Sequence, residues 1–450
     1  MTDCTTLSLA QAREMLVGRF SAFLDPLLQQ METRLDHRLV RSLGQALRAI
    51  LAHPRPEQAL MLTTFAEQTA PGTKLIHTVK RFFRLLHHSS LKAEAIAEWS
   101  LERATQLWGD PANELVIVDG SVLTKPYAKE MEYLARVKNP LEKLGGPKTV
   151  PGYWVLLGVR TSLAKGMAQM LSWRVWSSKE VGFLSQNQVE EEFFQGLLER
   201  VRRRAVFVLD RGLGRFALLG QLAEQSARFV ARVSINRDFA VDEERMIHLR
   251  VLAYRLPLTY ERQVYDPFDK KEKLCRFAYR RVKRPGIPGE LTLVVQWLEG
   301  LAEPWLLLTN EAVRNEVEAW RIVAIYWRRM AVEESLRFLK SEVGLESFRV
   351  REFAAIQRVV ALGMLVYSFL IELLEVGGVL VRRLCRAPTG RGAKTREGNC
   401  VQAPMGDQPP PKLAPGRLWV NSRTDVQSRA FSKSAEDLQR CSVDGLSSCR

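Results

Sequence analysis

Cysteine is sparse and scattered in this chain. Its six copies, Cys4, Cys275, Cys385, Cys400, Cys441 and Cys449, form no C-x-x-C pair. That excludes a disulfide framework and a zinc knuckle, and it fits a reducing cytoplasm. Among the few histidines, His87 and His88 have no carboxylate or cysteine at ligand spacing, so they read as surface residues. Acidic residues are outnumbered by Lys and Arg, 50 against 66, leaving a net charge of +16. Such an excess calls for a polyanionic partner, nucleic acid foremost. The opening "MTDCTTLSLAQ" lacks a basic-then-apolar targeting pattern, and the longest apolar run, Val359 to Ile371, is short for a bilayer span. The expectation is a protein with no membrane partner, cytoplasmic and associated with the nucleoid. No internal repeat is visible.

What is present is ample apolar material, 46% of 450 residues, more than one hydrophobic core usually organises. Amphipathic helical patterns fill residues 1–110, with breaks expected at Pro26, at "HPRP" (53–56) and at "APG" (70–72). Strand-like runs follow in 111–235: "ELVIVDGS", "YWVLLGVRTS", "AQMLSWRVWS", "AVFVLDRG" and "RFVARVS". Helical patterns separate the later ones, which predicts an α/β sheet. Residues 236–309, with "LCRFAYRRV", "RPGIPGE" and "LTLVVQW", read as a β-rich insertion without strong helices. Helix returns over about 314–343, inside a segment 310–350, and again in 351–386. Beyond that, 387–450 loses periodicity and fills with Gly, Pro, Ser, Arg and Gln, including "QPPPKLAPG". It reads as a disordered tail.

The stretch "IYWRRMAVEESLRFLKSEVG" (325–344) concentrates charge on one line. On a continuous helix Tyr326, Arg329, Glu333, Arg337 and Lys340 fall within about 80° of one another. Taken alone, this is also how a solvated face with (i, i+4) pairs would look. Two further carboxylates change the balance. Asp119 ends the apolar run "LVIVD" and Asp210 ends "VFVLD", so both should project from strand termini, where open α/β sheets place their sites. Either alone could be a turn or capping Asp. Three carboxylates drawn together would require a cation, and oxygen donors without His or Cys select Mg²⁺ or Mn²⁺. Two such ions could activate water and stabilise the leaving oxygen of a phosphodiester.

The spacing of Tyr326, Arg329, Glu333 and Lys340 resembles the Y-R-E-K signature of cut-and-paste DDE transposases from bacterial insertion sequences, the group that includes the transposase of the kanamycin-resistance composite transposon. "VIVDGS", "VFVLDRG", "RFVARVS" and "PWLLLTNE" extend the resemblance over roughly residues 30–350. It implies a ribonuclease-H-like core interrupted by the β-rich insertion, with Asp119, Asp210 and Glu333 as catalytic and metal-binding residues. It further implies that Tyr326, Arg329 and Lys340 contact transposon-end phosphates, with Arg337 on the same stripe. Trp305 would stack on a flipped base, and Arg232 would contact DNA; a core aromatic and a surface arginine are the ordinary alternatives. The implied cofactor is a pair of Mg²⁺ ions, with Mn²⁺ able to substitute. The implied partners are double-stranded DNA, as transposon ends and target, and a second copy of the chain in a homodimer.

The N-terminal region supplies an independent sign of DNA binding. Residues 57–69, the "APG" turn and 73–88 have helix-turn-helix proportions. In the second helix Lys74, His77, Arg81, Arg84 and His88 share one face, and Leu75, Ile76, Val79, Phe82, Phe83 and Leu86 share the opposite one. A basic surface helix in a bundle would show the same pattern. Members of the resembled family continue into a longer helical region that pairs protomers, whereas here only 351–386 remains as a candidate dimerisation segment. A shortened or frame-shifted end is therefore expected. The functional readings are an active transposase, a remnant that only binds transposon-end DNA, and a ribonuclease-H-fold nuclease, which leaves the Y-R-E-K spacing unexplained.

Overall fold

A computed structural model describes residues 9–53, 55–69, 74–163, 168–240, 246–266 and 271–386. The "APG" turn and the tail 387–450 lie outside them. The chain opens with five helices: α1 (Leu9–Glu32), α2 (His37–Ala52), α3 (Leu62–Thr69), α4 (Leu75–His87) and α5 (Ala93–Gln106). The break expected at Pro26 is absent, because α1 runs through it. Proline removes one hydrogen bond, but the flanking Phe23, Leu24 and Leu27 are buried, and that packing outweighs the loss.

The sheet begins with β1 (Glu114–Thr124), β2 (Ala135–Lys138), β3 (Thr149–Ser162) and β4 (Gln169–Trp176). After α6 (Gln186–Val201) come β5 (Val206–Leu209), α7 (Phe216–Glu224) and β6 (Arg228–Arg232). β1 pairs antiparallel with β3 and parallel with β5, and β5 pairs parallel with β6. β4 lies against β3. Both faces of β1 are covered, so it is a nearly unbroken apolar run until Asp119.

Residues 236–309 form β7 (Asp238–Ala240), β8 (Met246–His248), β9 (Tyr260–Asp266), β10 (Lys271–Arg284), β11 (Ile287–Leu298) and β12 (Trp305–Thr309). A short helix, α8 (Leu249–Arg255), interrupts them. These strands extend the main sheet, since β12 pairs with β6 in the order β2-β3-β1-β5-β6-β12-β11-β10-β7-β8. "RPGIPGE" contributes a tight hairpin in which Arg284 pairs with Ile287 and Gly286 adopts φ +83°, the turn conformation that glycine takes without strain.

The helix expected over 314–343 is two helices, α9 (Glu316–Trp327) and α10 (Met330–Ser341). Ala331 and Val332 donate to the carbonyls of Arg328 and Arg329 three residues back, so the chain tightens at the junction. Arg328 fastens it, donating to Ser162 O at 3.1 Å and to Thr161 Oγ1 at 2.6 Å.

The chain then enters α11 (Phe353–Arg386). Its segment Phe353–Leu374 is long and apolar enough to cross a membrane by length and composition, contrary to the sequence estimate, yet 83% of it is buried inside the molecule. It packs against α1, α2, α4, α5 and β4. Buried Arg358 donates to the carbonyls of Leu86 and Leu91, tying α11 to the end of α4. The helical region and the lower sheet face thus share one core.

Candidate active site

Asp119 and Asp210 meet because β1 and β5 are parallel neighbours in matched register. Val118 pairs with Leu209, so the next residue on each strand is an aspartate at the same level. Each carboxylate is oriented by local backbone: Gly120 N–H donates to Asp119 Oδ1 at 2.8 Å, and Leu213 N–H to Asp210 Oδ1 at 2.9 Å. Glu333 arrives from the first turn of α10, which lies across β1.

Arg329, at the start of α10, joins the acids. Its Nη1 lies 3.0 Å from Asp119 Oδ2, and its Nη2 bonds Glu333 Oε1. Burial, the neighbouring Asp210 charge and, to a smaller extent, Glu333 push the Asp119 carboxyl up to about 6, although Arg329 and the Gly120 N–H oppose the rise. Burial works against the Arg329 charge, but Tyr326, Asp119 and Glu333 outweigh it and leave its pKa raised.

Of the aromatic and basic residues named from sequence, Tyr326 reaches the acids at Asp210, and Arg232 and Trp305 follow it outward. The Trp305 ring meets Tyr326 edge-on at 5.4 Å, and Arg232 lies 4.9 Å over Trp305. Tyr326 is 97% shielded, its pKa raised first by burial, and its hydroxyl interacts with Arg232, Arg329 and Asp210. Tyr326 therefore does not share an outward stripe with Glu333. The stripe assumed one continuous helix, and the tight junction at Arg328 turns Tyr326 into the core. Lys340 is also engaged, donating to Val122 O at 2.7 Å with Glu346 at 3.5 Å. Arg337 is exposed.

The helix α4 lies away from these strands and shows a different outward face from the one expected. It buries Thr78, Phe82, Leu85 and Leu86 against its neighbours and exposes Leu75, Ile76 and Phe83 at 45%, 55% and 48%. Lys74 and Arg84 are exposed as expected, but Arg81 turns inward. Its Nε and Nη2 are shielded without a protein partner, and burial, then Arg41, lowers its pKa. Apolar residues ring most of α4, so the choice of buried face belongs to the α2, α3 and α11 surfaces and not to α4's own periodicity.

The donor chemistry of the acid cluster suits a hard divalent cation: carboxylate oxygens only, with Asp119 raised by an adjacent Asp210 that a cation would neutralise. Asp119 and Asp210 fit such an ion as a ligand pair. Glu333 is linked to them through Arg329, and among the described residues no group of three or more His, Cys, Asp or Glu side chains stands ready to hold a metal. Sequence reasoning missed Arg328, the anchor of the helix junction. Its signal was only a second arginine beside Arg329.

Residues 181–369 match the family model of the transposase DDE domain. The matched span contains Asp210, Arg232, Trp305, Tyr326, Arg329, Glu333, Arg337 and Lys340, while Asp119 lies before it. No curated protein matches the chain. Among solved structures, a cryo-EM structure of the piggyBac transposase synaptic complex with hairpin DNA is similar at 13% identity and a TM-score of 0.41, covering 79% of this chain and 74% of that one.

Proposed function

We propose that the protein is a DDE transposase of an insertion sequence, binding its terminal inverted repeats and performing Mg²⁺-dependent cleavage, hairpin formation and strand transfer. The observation that carries this reading is Arg329 bridging Asp119 and Glu333, with Asp210 beside Asp119, and with Asp210, Arg329 and Glu333 inside the span that matches the transposase DDE domain. The strand order β4-β3-β1-β5-β6, three antiparallel strands continued by two parallel ones, supports a ribonuclease-H-like core.

In this reading Asp119 and Asp210 hold the divalent cation, and Glu333 joins them when Arg329 is drawn off by a DNA phosphate. Bound there, a pair of Mg²⁺ ions, or Mn²⁺ in their place, supplies an activated water and charge stabilisation of the leaving oxygen. Arg329 has two oppositely charged claims on its guanidinium, so phosphate binding and opening of the carboxylate pocket become one event. Arg232 and Tyr326 hold Trp305 at the rim, where an indole face can receive an unstacked base. Arg337 and, once released from Val122 O, Lys340 extend the phosphate contacts along α10. A homodimer would let one copy bind one end while acting on the other.

The absence of an assembled three-carboxylate group among the described residues favours, as a second reading, a remnant that binds transposon-end DNA without cutting it. Duplex carrying the inverted repeats that flank the gene separates the two. Incubation with Mg²⁺ should yield nicked and hairpin products; tight end binding with no products supports the remnant, and equal cutting of unrelated duplex supports a general nuclease.

A further inference from the structure

At the edge of the sheet, beyond the far end of β1, a cavity of about 470 Å³ is walled by Ala128, Met131, Tyr133, Leu134, Ala135 and Pro151, with Lys129, Arg136 and Lys179 as its charged residues. No carboxylate lines it. The acids of the same loop are turned elsewhere: Glu130 pairs with Arg351 at 3.3 Å, and Glu132 Oε2 accepts from Phe353 N–H at 2.6 Å. Arg136 is held by two bonds to Thr149, from Nε to Oγ1 at 3.2 Å and from Nη2 to the carbonyl at 2.8 Å, which fixes its guanidinium on the pocket wall. Lys129 and Lys179 are exposed.

The wall is also rigid where it need not be. Tyr133 adopts φ +52°, a left-handed conformation that a bulky residue takes only when its surroundings impose it. Ser177 Oγ donates to its carbonyl at 2.5 Å, and its ring meets Phe353 edge-on. The β2 strand continues the charge outward, with Lys138 exposed two residues after Arg136 on the same side.

β1 carries the chain from Asp119 to Thr124, roughly 17 Å at strand rise, before the loop that forms this pocket. Lys340 sits between, at Val122. Roughly 17 Å is about five base pairs of duplex, or half a helical turn. We infer that the pocket of Lys129, Arg136 and Lys179 is a second binding site for the phosphate backbone of duplex DNA, engaging it about half a turn from the phosphodiester held at Asp119. Three unpaired cations around a preformed, carboxylate-free cavity match backbone phosphates in chemistry and require no base sequence. The inference rests on the reading of the acid cluster as a DNA site.

The test is salt-dependent binding of a labelled duplex of about three helical turns to the full chain. Each lost phosphate contact lowers the slope of log K against log salt by about 0.9. Lys129→Ala with Lys179→Ala, which leaves the Arg136 bonds intact, should weaken binding about tenfold at low salt and reduce the slope by about 2. Adding Arg136→Ala should remove nearly one more. The same charge loss at Arg34, Lys271 and Arg281 should leave the slope unchanged. A parent that binds no duplex overturns both the DNA reading and this inference. A parent that binds, with pocket variants of unchanged slope, overturns this inference alone, as does an equal loss in the scattered control.

Discussion

Arg329 Nη1 stands 3.0 Å from Asp119 Oδ2, across the junction between α10 and β1. The same guanidinium holds Glu333, so a residue that the Y-R-E-K spacing points toward phosphate is, in the free protein, the counter-charge of the acid cluster.

Arg329→Ala should therefore destabilise the protein without divalent cation, because it leaves the shielded Asp119 beside Asp210 unbalanced. The Asp119 side of the pair is only 16% exposed and the Glu333 side 41%. Most of a loss of about 2 kcal/mol should thus come from Asp119. Urea unfolding with and without Mn²⁺ checks this: the deficit should shrink when Mn²⁺ is present. A variant as stable as the parent in both conditions would contradict the assignment.

The raised Asp119 pKa has a definite sign. An acid whose folded pKa, about 6, exceeds its unfolded value contributes stability at low pH that is lost as pH rises through the folded value. The Asp119 contribution should be complete below about pH 4, near its unfolded pKa. It should decline to nothing above about 6.5, with a total of up to about 3 kcal/mol. Asp119→Asn should remove that decline, making the variant more stable than the parent at pH 7.5 in metal-free buffer. For the same reason the parent should lose Mn²⁺ affinity by about tenfold per unit below pH 6, measurable by the free-Mn²⁺ resonance signal. Affinity that is flat from pH 7 to 5 would argue against Asp119 as a ligand.

On α4 the orphaned Arg81 and the exposed Phe83 should behave oppositely. Arg81→Met removes a half-buried charge whose Nε and Nη2 have no hydrogen-bond partner and keeps an apolar side chain over the Phe82 ring, so it should leave stability unchanged or raise it by about 1 kcal/mol and leave DNA affinity intact. Phe83→Ala with Arg84→Ala, both exposed, should change stability by under about 0.5 kcal/mol while weakening duplex binding severalfold. The reverse pattern would restore Arg81 as the outward-facing contact.

Much of this arrangement was legible in the residues because it depends on local alternation. An apolar run that stops at a carboxylate marks the end of β5 correctly, since the strand closes at Leu209 just before Asp210; at Asp119 the same signal misleads, because β1 stays paired with β3 as far as Thr124 and Asp119 lies mid-strand instead of at the expected terminus. The junction at Arg328 was not legible. It contains neither Pro nor Gly, and its (i, i+3) bonds preserve enough helical phase for the periodicity to run through. The direction of Arg329 was hidden for another reason: whether an arginine faces solvent or a neighbouring acid depends on a strand more than 200 residues away in sequence. The continuation of β7–β12 into the main sheet likewise depends on β6 pairing with β12, a contact that no local pattern encodes.

The central claim is that Asp119, Asp210 and Glu333 act as one cleaving centre. It is tested most directly by Mn²⁺-dependent cleavage of transposon-end duplex by the parent and by Asp210→Asn, with end affinity measured in parallel. The parent should cut, and the variant should bind equally well while losing at least about 10³-fold in cleavage. A variant that binds and cuts like the parent would contradict it.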